Sequence, residues 1–133
     1  MPYNDFTEMP IWQLANEVVK DVYLATSKLP KREDYALCAQ LRDAAISITG
    51  NIAEGFGRGY RKDKINFYYY ARGSAYEVKS HLLSGSTAGY FSKEEITPIN
   101  NKLEQVIYSI NSIIKVLSTP TANKPNSPSQ SQS

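Results

Sequence analysis

The 133-residue sequence contains only one cysteine and one histidine, which narrows the chemistry that it could carry out. Cys38 has no partner for an intrachain disulfide, and Cys-rich zinc sites need several cysteines. His81 follows Glu77 by four residues, so the two side chains share a helix face. A di-iron bundle needs two Glu-x-x-His motifs, however, and the sequence lacks them. We therefore expect no disulfide, no metal and no cofactor.

Long apolar runs and a leader segment are also missing. No stretch approaches the roughly 18 apolar residues of a membrane-spanning helix. The amino end carries Asp5 and Glu8 rather than basic residues ahead of an apolar run. With 41% hydrophobic and 21% charged residues, the composition is that of an ordinary globular domain. These features predict a soluble, cytoplasmic protein without a membrane partner.

Four segments repeat apolar residues every three or four positions, which is the period of one helix face. Proline or glycine separates the segments, and such short connections favour antiparallel neighbours. Residues 1–117 are therefore predicted to form an all-α, up-and-down antiparallel four-helix bundle. The predicted core stripes are Ile11, Leu14, Ala15, Val18, Val22 and Ala25; Cys38, Leu41, Ala45, Ile48, Ile52 and Gly55; Tyr68, Ala71, Ala75, Val78 and Leu82; and Ile96, Ile99, Leu103, Val106, Ile110, Ile113 and Leu117.

The sequence gives two possible starts for the fourth helix, whereas its end is marked by a change in composition. Ser92 with Glu95 forms a capping-box pattern, and Thr97-Pro98 is a second start signal, so the helix could begin after either. Beyond the segment, residues 118–133 contain three prolines and five serines, with Ala122 as the only apolar residue. Such a composition cannot bury enough surface to order itself, which predicts a disordered tail.

Positive charge is concentrated in one part of the sequence. Residues 58–79 carry six Lys or Arg and two Asp or Glu, a net charge of +4, whereas residues 1–57 have a net charge of −3. Cationic side chains contact phosphates without reading base sequence. The strip therefore predicts a surface that binds RNA or DNA, with four phosphate ligands: Arg58, Arg61, Lys62 and Lys64.

Four consecutive aromatic residues, Phe67 to Tyr70, lie within the same strip. At about 100° per residue they sweep about 300° of a helix, so they cannot all face one core. Exposed aromatic clusters are more typical of subunit contacts than of base stacking, although either is open here. Phe67, Tyr69 and Tyr70 are therefore predicted to form an oligomer interface.

Polar residues inside the helices suggest a structural role. Buried polar groups must be paired, which predicts a network that specifies which helix faces which. Its predicted members are Arg42, Asn51, Glu54, Arg72 and Glu77.

The candidates for catalysis are weak. Cys38 occupies a core position far in sequence from His81, which is typical of an inert thiol. The glycines between Gly55 and Gly59 lack the preceding strand and the Gly-Lys-Ser/Thr ending of a phosphate-binding loop. We therefore predict that the protein is not an enzyme.

The stretch Ser47-Ile48-Thr49-Gly50-Asn51-Ile52-Ala53-Glu54-Gly55 resembles the S-I-x-x-N-I-A-E-G signature of the four-helix-bundle proteins encoded in bacterial 23S rRNA intervening sequences. The resemblance covers about residues 6–117 and excludes the tail. Further residues that fit the family pattern are Trp12, Pro30, Glu33, Gln40, Leu41, Arg42, Phe67, Ala71, Gly73, Ser74 and Glu77.

This resemblance implies a left-handed bundle that assembles into a homopentameric ring. The family is similar to the accessory protein of diversity-generating retroelements, which binds nucleic acid and a reverse transcriptase. Two hypotheses follow: a ring-forming, non-enzymatic protein that binds RNA or DNA, or an interaction scaffold that serves as an accessory subunit of a reverse transcriptase.

Overall fold

Four α-helices account for most of residues 3–120, the part of the chain that the computed structural model describes. They are α1 (Pro10–Thr26), α2 (Leu37–Gly57), α3 (Arg61–Thr87) and α4 (Lys93–Ser118). Single turns of 3-10 helix at Phe6–Glu8 and Lys31–Glu33 precede α1 and α2. No strand occurs within residues 3–120, which confirms the predicted all-α class.

Each helix packs against its neighbours in sequence, and α4 also packs against α1. The contacts between neighbouring helices run in opposite sequence order, so adjacent helices are antiparallel as predicted. The left-handed twist of the bundle stays a prediction. The pairs that define the direction are Lys28–Glu95 and Asp21–Lys102 between α1 and α4, Ser47–Ser74 and Gly55–Lys64 between α2 and α3, and Arg72–Asn111 and Lys79–Glu104 between α3 and α4.

The core contains the residues that the helical period predicted. Every residue of the four predicted stripes is buried except Leu14, Ala25 and Ile113, which are half-buried. Gly55 is among the buried residues because the ring of Tyr68 lies against it, and a Cβ at this glycine would be 3.1 Å from the ring. The period is thus sufficient to identify the interior face of each helix.

The turn between α3 and α4 depends on two glycines for different reasons. Gly89 has a φ of 87°, a left-handed conformation that glycine adopts without strain. Gly85 lies inside α3, where a Cβ would be 2.4 Å from a ring carbon of Phe91. Gly85 therefore does not break the helix; it lets the returning chain pack closely on α3.

α4 begins at Lys93, which resolves the ambiguity between its two start signals. The Ser92 hydroxyl accepts a hydrogen bond from the Glu95 N–H, and the Glu95 carboxylate accepts one from the Ser92 N–H. Pro98 lies inside the helix rather than at its start. This reciprocal cap satisfies the N–H groups of Ser92 and Glu95. A helix that began after Thr97 would not use this cap.

Residues 121–133 of the predicted tail lie outside the described residues, while Ser118 is the last residue of α4. Within the described range, no helix combines the length and hydropathy that a membrane span requires.

Candidate functional surface

Three of the predicted phosphate ligands surround the short connection between α2 and α3. α2 ends at Gly57 and α3 begins at Arg61, so Arg58, Arg61 and Lys62 lie together at one end of the bundle. We call these three residues the basic end. The α3 N-terminus has no side-chain cap, and the free N–H groups of a helix N-terminus carry partial positive charge. The three cations and the helix dipole therefore both attract anions here, and the carboxylate of Asp63 in the first turn of α3 opposes them.

Arg58 is held in a defined orientation by two neighbours. Its Nη2 donates a hydrogen bond to Glu54 Oε2 at 2.9 Å, and its guanidinium lies 4.7 Å from the centroid of the Phe67 ring. Both partners of the ion pair remain about half-exposed, so the pair is weak in solution. Arg58 can therefore turn its remaining donors to a phosphate.

The interpretation of Lys64 as a phosphate ligand is wrong. Its side chain is only 1% exposed, and its Nζ donates hydrogen bonds to the carbonyl oxygens of Gly55 (3.1 Å) and Phe56 (2.9 Å). Burial lowers the pKa of this ammonium group below its usual value. Lys64 is a structural residue that satisfies the last carbonyls of α2.

The four consecutive aromatics divide between core and surface, as their angular sweep required. Tyr68 is fully buried, Phe67 is half-buried, and Tyr69 and Tyr70 are 44% and 57% exposed. Phe67 meets Tyr70 edge to face at 5.5 Å, and the Arg72 guanidinium covers the Tyr69 ring at 4.8 Å. The outward placement is confirmed, whereas a role for Phe67, Tyr69 and Tyr70 in subunit contacts stays a prediction.

The five residues of the predicted polar network do not meet, and that interpretation is wrong as a single network. The five side chains lie on different sides of α2 and α3, so each has different neighbours. The observed contacts are Arg42 with Thr26 (2.9 Å) and the Tyr23 ring, Asn51 with Ser47, Glu54 with Arg58, and Arg72 with Asn111 (2.8 Å), while Glu77 Oε2 lies 3.5 Å from His81 Nε2 without a hydrogen bond.

Two serines make a further polar contact between α2 and α3, which the predicted network did not include. Ser74 Oγ donates to Ser47 Oγ at 2.9 Å, and Asn51 Nδ2 donates to both the carbonyl and the hydroxyl oxygen of Ser47. Ser47 and Ser74 both belong to the signature segments, and small hydroxyl residues at two facing helix positions were the available signal. These contacts fix how α2 and α3 are aligned.

The groups considered for catalysis are dispersed. Cys38 is buried, and its thiol lies 3.5 Å from the carbonyl oxygen of Thr26. Burial raises the pKa of this thiol, which makes it a poor nucleophile. Glu77 Oε2 lies 3.5 Å from His81 Nε2 on α3, and this nitrogen makes no hydrogen bond. Among residues 3–120, no three His, Cys, Asp or Glu side chains gather in an arrangement that could hold a metal ion.

These observations define a small antiparallel four-helix-bundle protein with a basic, aromatic-rich end. The chain belongs to the family of 23S rRNA-intervening sequence proteins, whose family model matches residues 7–112. It is also similar to a crystal structure of a protein of unknown function from the S23 ribosomal protein family of Bacteroides thetaiotaomicron VPI-5482. That similarity has a TM-score of 0.72 at 25% identity and covers 79% of this chain and 95% of the other. No match was found among curated proteins.

Proposed function

We propose that this chain is a non-enzymatic, self-associating protein that binds RNA or DNA phosphates through Arg58, Arg61 and Lys62. The observation that carries the proposal is the concentration of these three cations at the α2–α3 connection, beside the uncapped N-terminus of the 27-residue helix α3. Phosphate groups are bound well by cations and by helix N-termini.

Aromatic side chains near the basic end add a second mode of contact. Tyr60 precedes α3 and is 64% exposed, and Tyr70, which is 57% exposed, lies ten residues or nearly three helix turns further on. Exposed aromatic rings stack on unpaired bases, a contact that tolerates any base sequence. The proposed ligand is therefore structured nucleic acid with unpaired bases rather than a defined sequence motif.

Self-association would strengthen this binding. A single copy presents only three cations at its basic end, and its net charge of +2 is small. A ring that places several basic ends on one ligand gains affinity from effective concentration without new contacts. The homopentamer implied by the family resemblance would supply five such ends, and we include it in the proposal.

The proposal is tested by nucleic-acid binding as a function of salt. We expect a fluorescently labelled 23S rRNA fragment to bind in anisotropy assays at low ionic strength. Replacing Arg58, Arg61 and Lys62 by alanine should reduce the log–log salt slope by about one for each ion pair with phosphate that the substitutions remove. The matched control replaces three exposed lysines elsewhere, Lys20, Lys93 and Lys115, and should leave the slope nearly unchanged.

Two results would count against the proposal: no detectable binding at low salt, or equal reductions of the slope in the two triple variants. The second result would show that net charge, rather than the basic end, governs binding. The control is informative because both triple variants lower the net charge by the same amount.

The exposed tyrosines favour a second candidate function, an interaction scaffold that could serve a reverse-transcriptase-type partner. Tyr69, Tyr70 and Tyr76 are all about half-exposed on α3, and exposed aromatic clusters are typical of protein interfaces. A pull-down from cell extract with nuclease added separates the two functions. A protein partner that is retained after nuclease treatment supports the scaffold, whereas loss of all partners supports nucleic-acid binding.

A further inference from the structure

The guanidinium group of Arg58 is held by side chains from both helices that meet at the basic end. Its Nη2 donates a hydrogen bond to Glu54 Oε2 at 2.9 Å, and its Cζ lies over the Phe67 ring, 4.7 Å from the centroid. Glu54 belongs to α2 and Phe67 to α3, while Arg58 lies in the short connection between them. The two helices together therefore fix the position of the Arg58 head group.

The Phe67 ring has a second aromatic neighbour. Tyr70, three residues later on α3, meets it edge to face with the ring centroids 5.5 Å apart. Phe67 is half-buried and Tyr70 is 57% exposed, so these rings lie at the surface. We call Arg58, Phe67 and Tyr70 the arginine–aromatic cluster.

The charges around this cluster largely cancel. Arg58, Arg61 and Lys62 are opposed by Glu54, which contacts Arg58, and by Asp63 in the first turn of α3. Three cations and two carboxylates leave a net charge of +1. Non-specific attraction of a polyanion is small at this net charge, so binding depends on directed bonds from the cations that are present.

Arginine is the side chain that supplies such directed bonds to phosphate. Its planar head group has five N–H donors, and two of them together match two oxygens of a phosphate group. Among the described residues, Arg58 has one acceptor, Glu54. A guanidinium that lies over a ring still presents the donors at its edge, and the Arg58 side chain is 44% exposed. Two N–H groups of Arg58 are therefore available to one phosphate.

We infer that Arg58 binds one phosphodiester group of the nucleic acid with two N–H groups, and that Phe67 is a positioning residue that holds the guanidinium for this contact. The inference rests on the proposed function and specifies how one of its three cations recognises phosphate. A side chain that is already held in place loses less entropy on binding than a free one. Phe67 thereby acts at the basic end rather than in the subunit contact that the sequence predicts for it.

A second arginine with similar neighbours provides a matched control. The Arg42 guanidinium lies over the Tyr23 ring, 5.0 Å from the centroid, and its Nε donates to Thr26 Oγ1 at 2.9 Å. Arg42 precedes Arg58 by sixteen residues, or about 24 Å at the rise of an α-helix. The same substitutions can therefore be made in a similar cluster that lies far from the basic end.

The test uses substitutions that conserve charge or apolar character, in the anisotropy assay with the labelled 23S rRNA fragment. Arg58→Lys keeps the charge but loses the paired donors, and we expect Kd to rise about tenfold. Phe67→Leu removes the ring face, and we expect Kd to rise about two- to fivefold. The log–log salt slope should stay unchanged in both, because the number of ion pairs with phosphate is the same. The controls Arg42→Lys and Tyr23→Leu should bind like the wild type.

A double-mutant cycle tests whether Phe67 acts through Arg58. We expect Phe67→Leu to have no further effect on Kd once Arg58 is alanine. Equal reductions of affinity in both backgrounds would show that the ring makes a contact of its own, and would overturn its positioning role. Light scattering on Phe67→Leu gives a second check, because loss of assembly would place the ring in a subunit contact and contradict the inference.

The outcomes separate the inference from the proposed function. Wild-type affinity of Arg58→Lys, together with weaker binding and a smaller salt slope of Arg58→Ala, would overturn the paired contact but leave the basic end as the binding surface. Equal losses in Arg58→Lys and Arg42→Lys would also overturn the paired contact. Unchanged affinity and salt slope of Arg58→Ala would instead remove Arg58 from the proposed function itself.

Discussion

The ammonium group of Lys64, in the first turns of α3, lies 3.1 Å from the carbonyl oxygen of Gly55 in the last turn of α2. The last carbonyls of a helix have no partner within the helix, and here a lysine nine residues later supplies one. A second hydrogen bond to the Phe56 carbonyl fixes the same side chain. The direction of the turn between α2 and α3 is therefore set by a buried cation directly beside the basic end.

We expect Lys64→Met to destabilise the fold by about 1–3 kcal/mol, because it leaves two carbonyl groups without a donor in a buried site. The control is Lys62→Met, two residues earlier and exposed, which should change the free energy of unfolding by less than about 0.5 kcal/mol. Urea denaturation followed by circular dichroism measures both. Equal effects of the two substitutions would contradict the structural role of Lys64.

The difference in folding stability between the wild type and Lys64→Met should depend on pH, and the sign of that dependence is known. Burial lowers the pKa of Lys64 below its usual value of 10.5, so between the two pKa values the unfolded chain binds more protons than the folded one. Stability from this group therefore rises with pH across that window. We expect the stability of the wild type relative to Lys64→Met to increase as the pH approaches 10.5. A difference that falls with pH would contradict this.

The sequence predicts the helices and their buried faces because the apolar period is a local property of each helix. Ile48 and Ile52 are four residues apart, and any packed helix with that spacing buries both on one side. The same geometry could have excluded the polar network. Arg42 and Asn51 are nine residues apart, which at about 100° per residue places them on opposite sides of α2.

The burial of Lys64 could not be predicted in this way. Lysine is normally exposed, and its sequence neighbours Arg61 and Lys62 suggested a solvated cationic strip. Only the approach of the α2 C-terminus places carbonyl oxygens at its ammonium group.

Gly85 and Phe91 should show strong energetic coupling. A Cβ at Gly85 would be 2.4 Å from the Phe91 ring, so Gly85→Ala should cost about 1–3 kcal/mol by overpacking, in spite of the higher helix propensity of alanine. Phe91→Leu in the same protein should recover part of this loss by making room. A double-mutant cycle in urea measures the coupling. Additive effects of the two substitutions would show that the ring does not limit the space at Gly85.

The capping box of α4 gives a test of where that helix begins. Ser92→Ala removes the acceptor of the Glu95 N–H and should cost about 1 kcal/mol. Thr97→Ala serves as the control, because its hydroxyl bonds only to the Lys93 carbonyl on the exposed side of the helix, and it should be neutral within about 0.5 kcal/mol. Thermal unfolding of both variants measures the two losses of stability. A larger loss for Thr97→Ala would place the start of the helix after Thr97.

Cys38 should be unreactive in the folded protein. Its side chain is buried, and burial raises the pKa of the thiol, so both the access of a reagent and the thiolate fraction are low. We expect Ellman's reagent to label Cys38 only as fast as the chain opens, and fully in urea. The control is Tyr35→Cys combined with Cys38→Ala, which places a thiol three residues earlier at a fully exposed position and should react within the mixing time. Rapid labelling of Cys38 in native buffer would mean that the contact between α1 and α2 at Thr26 opens readily. That result would contradict the tight packing of these two helices.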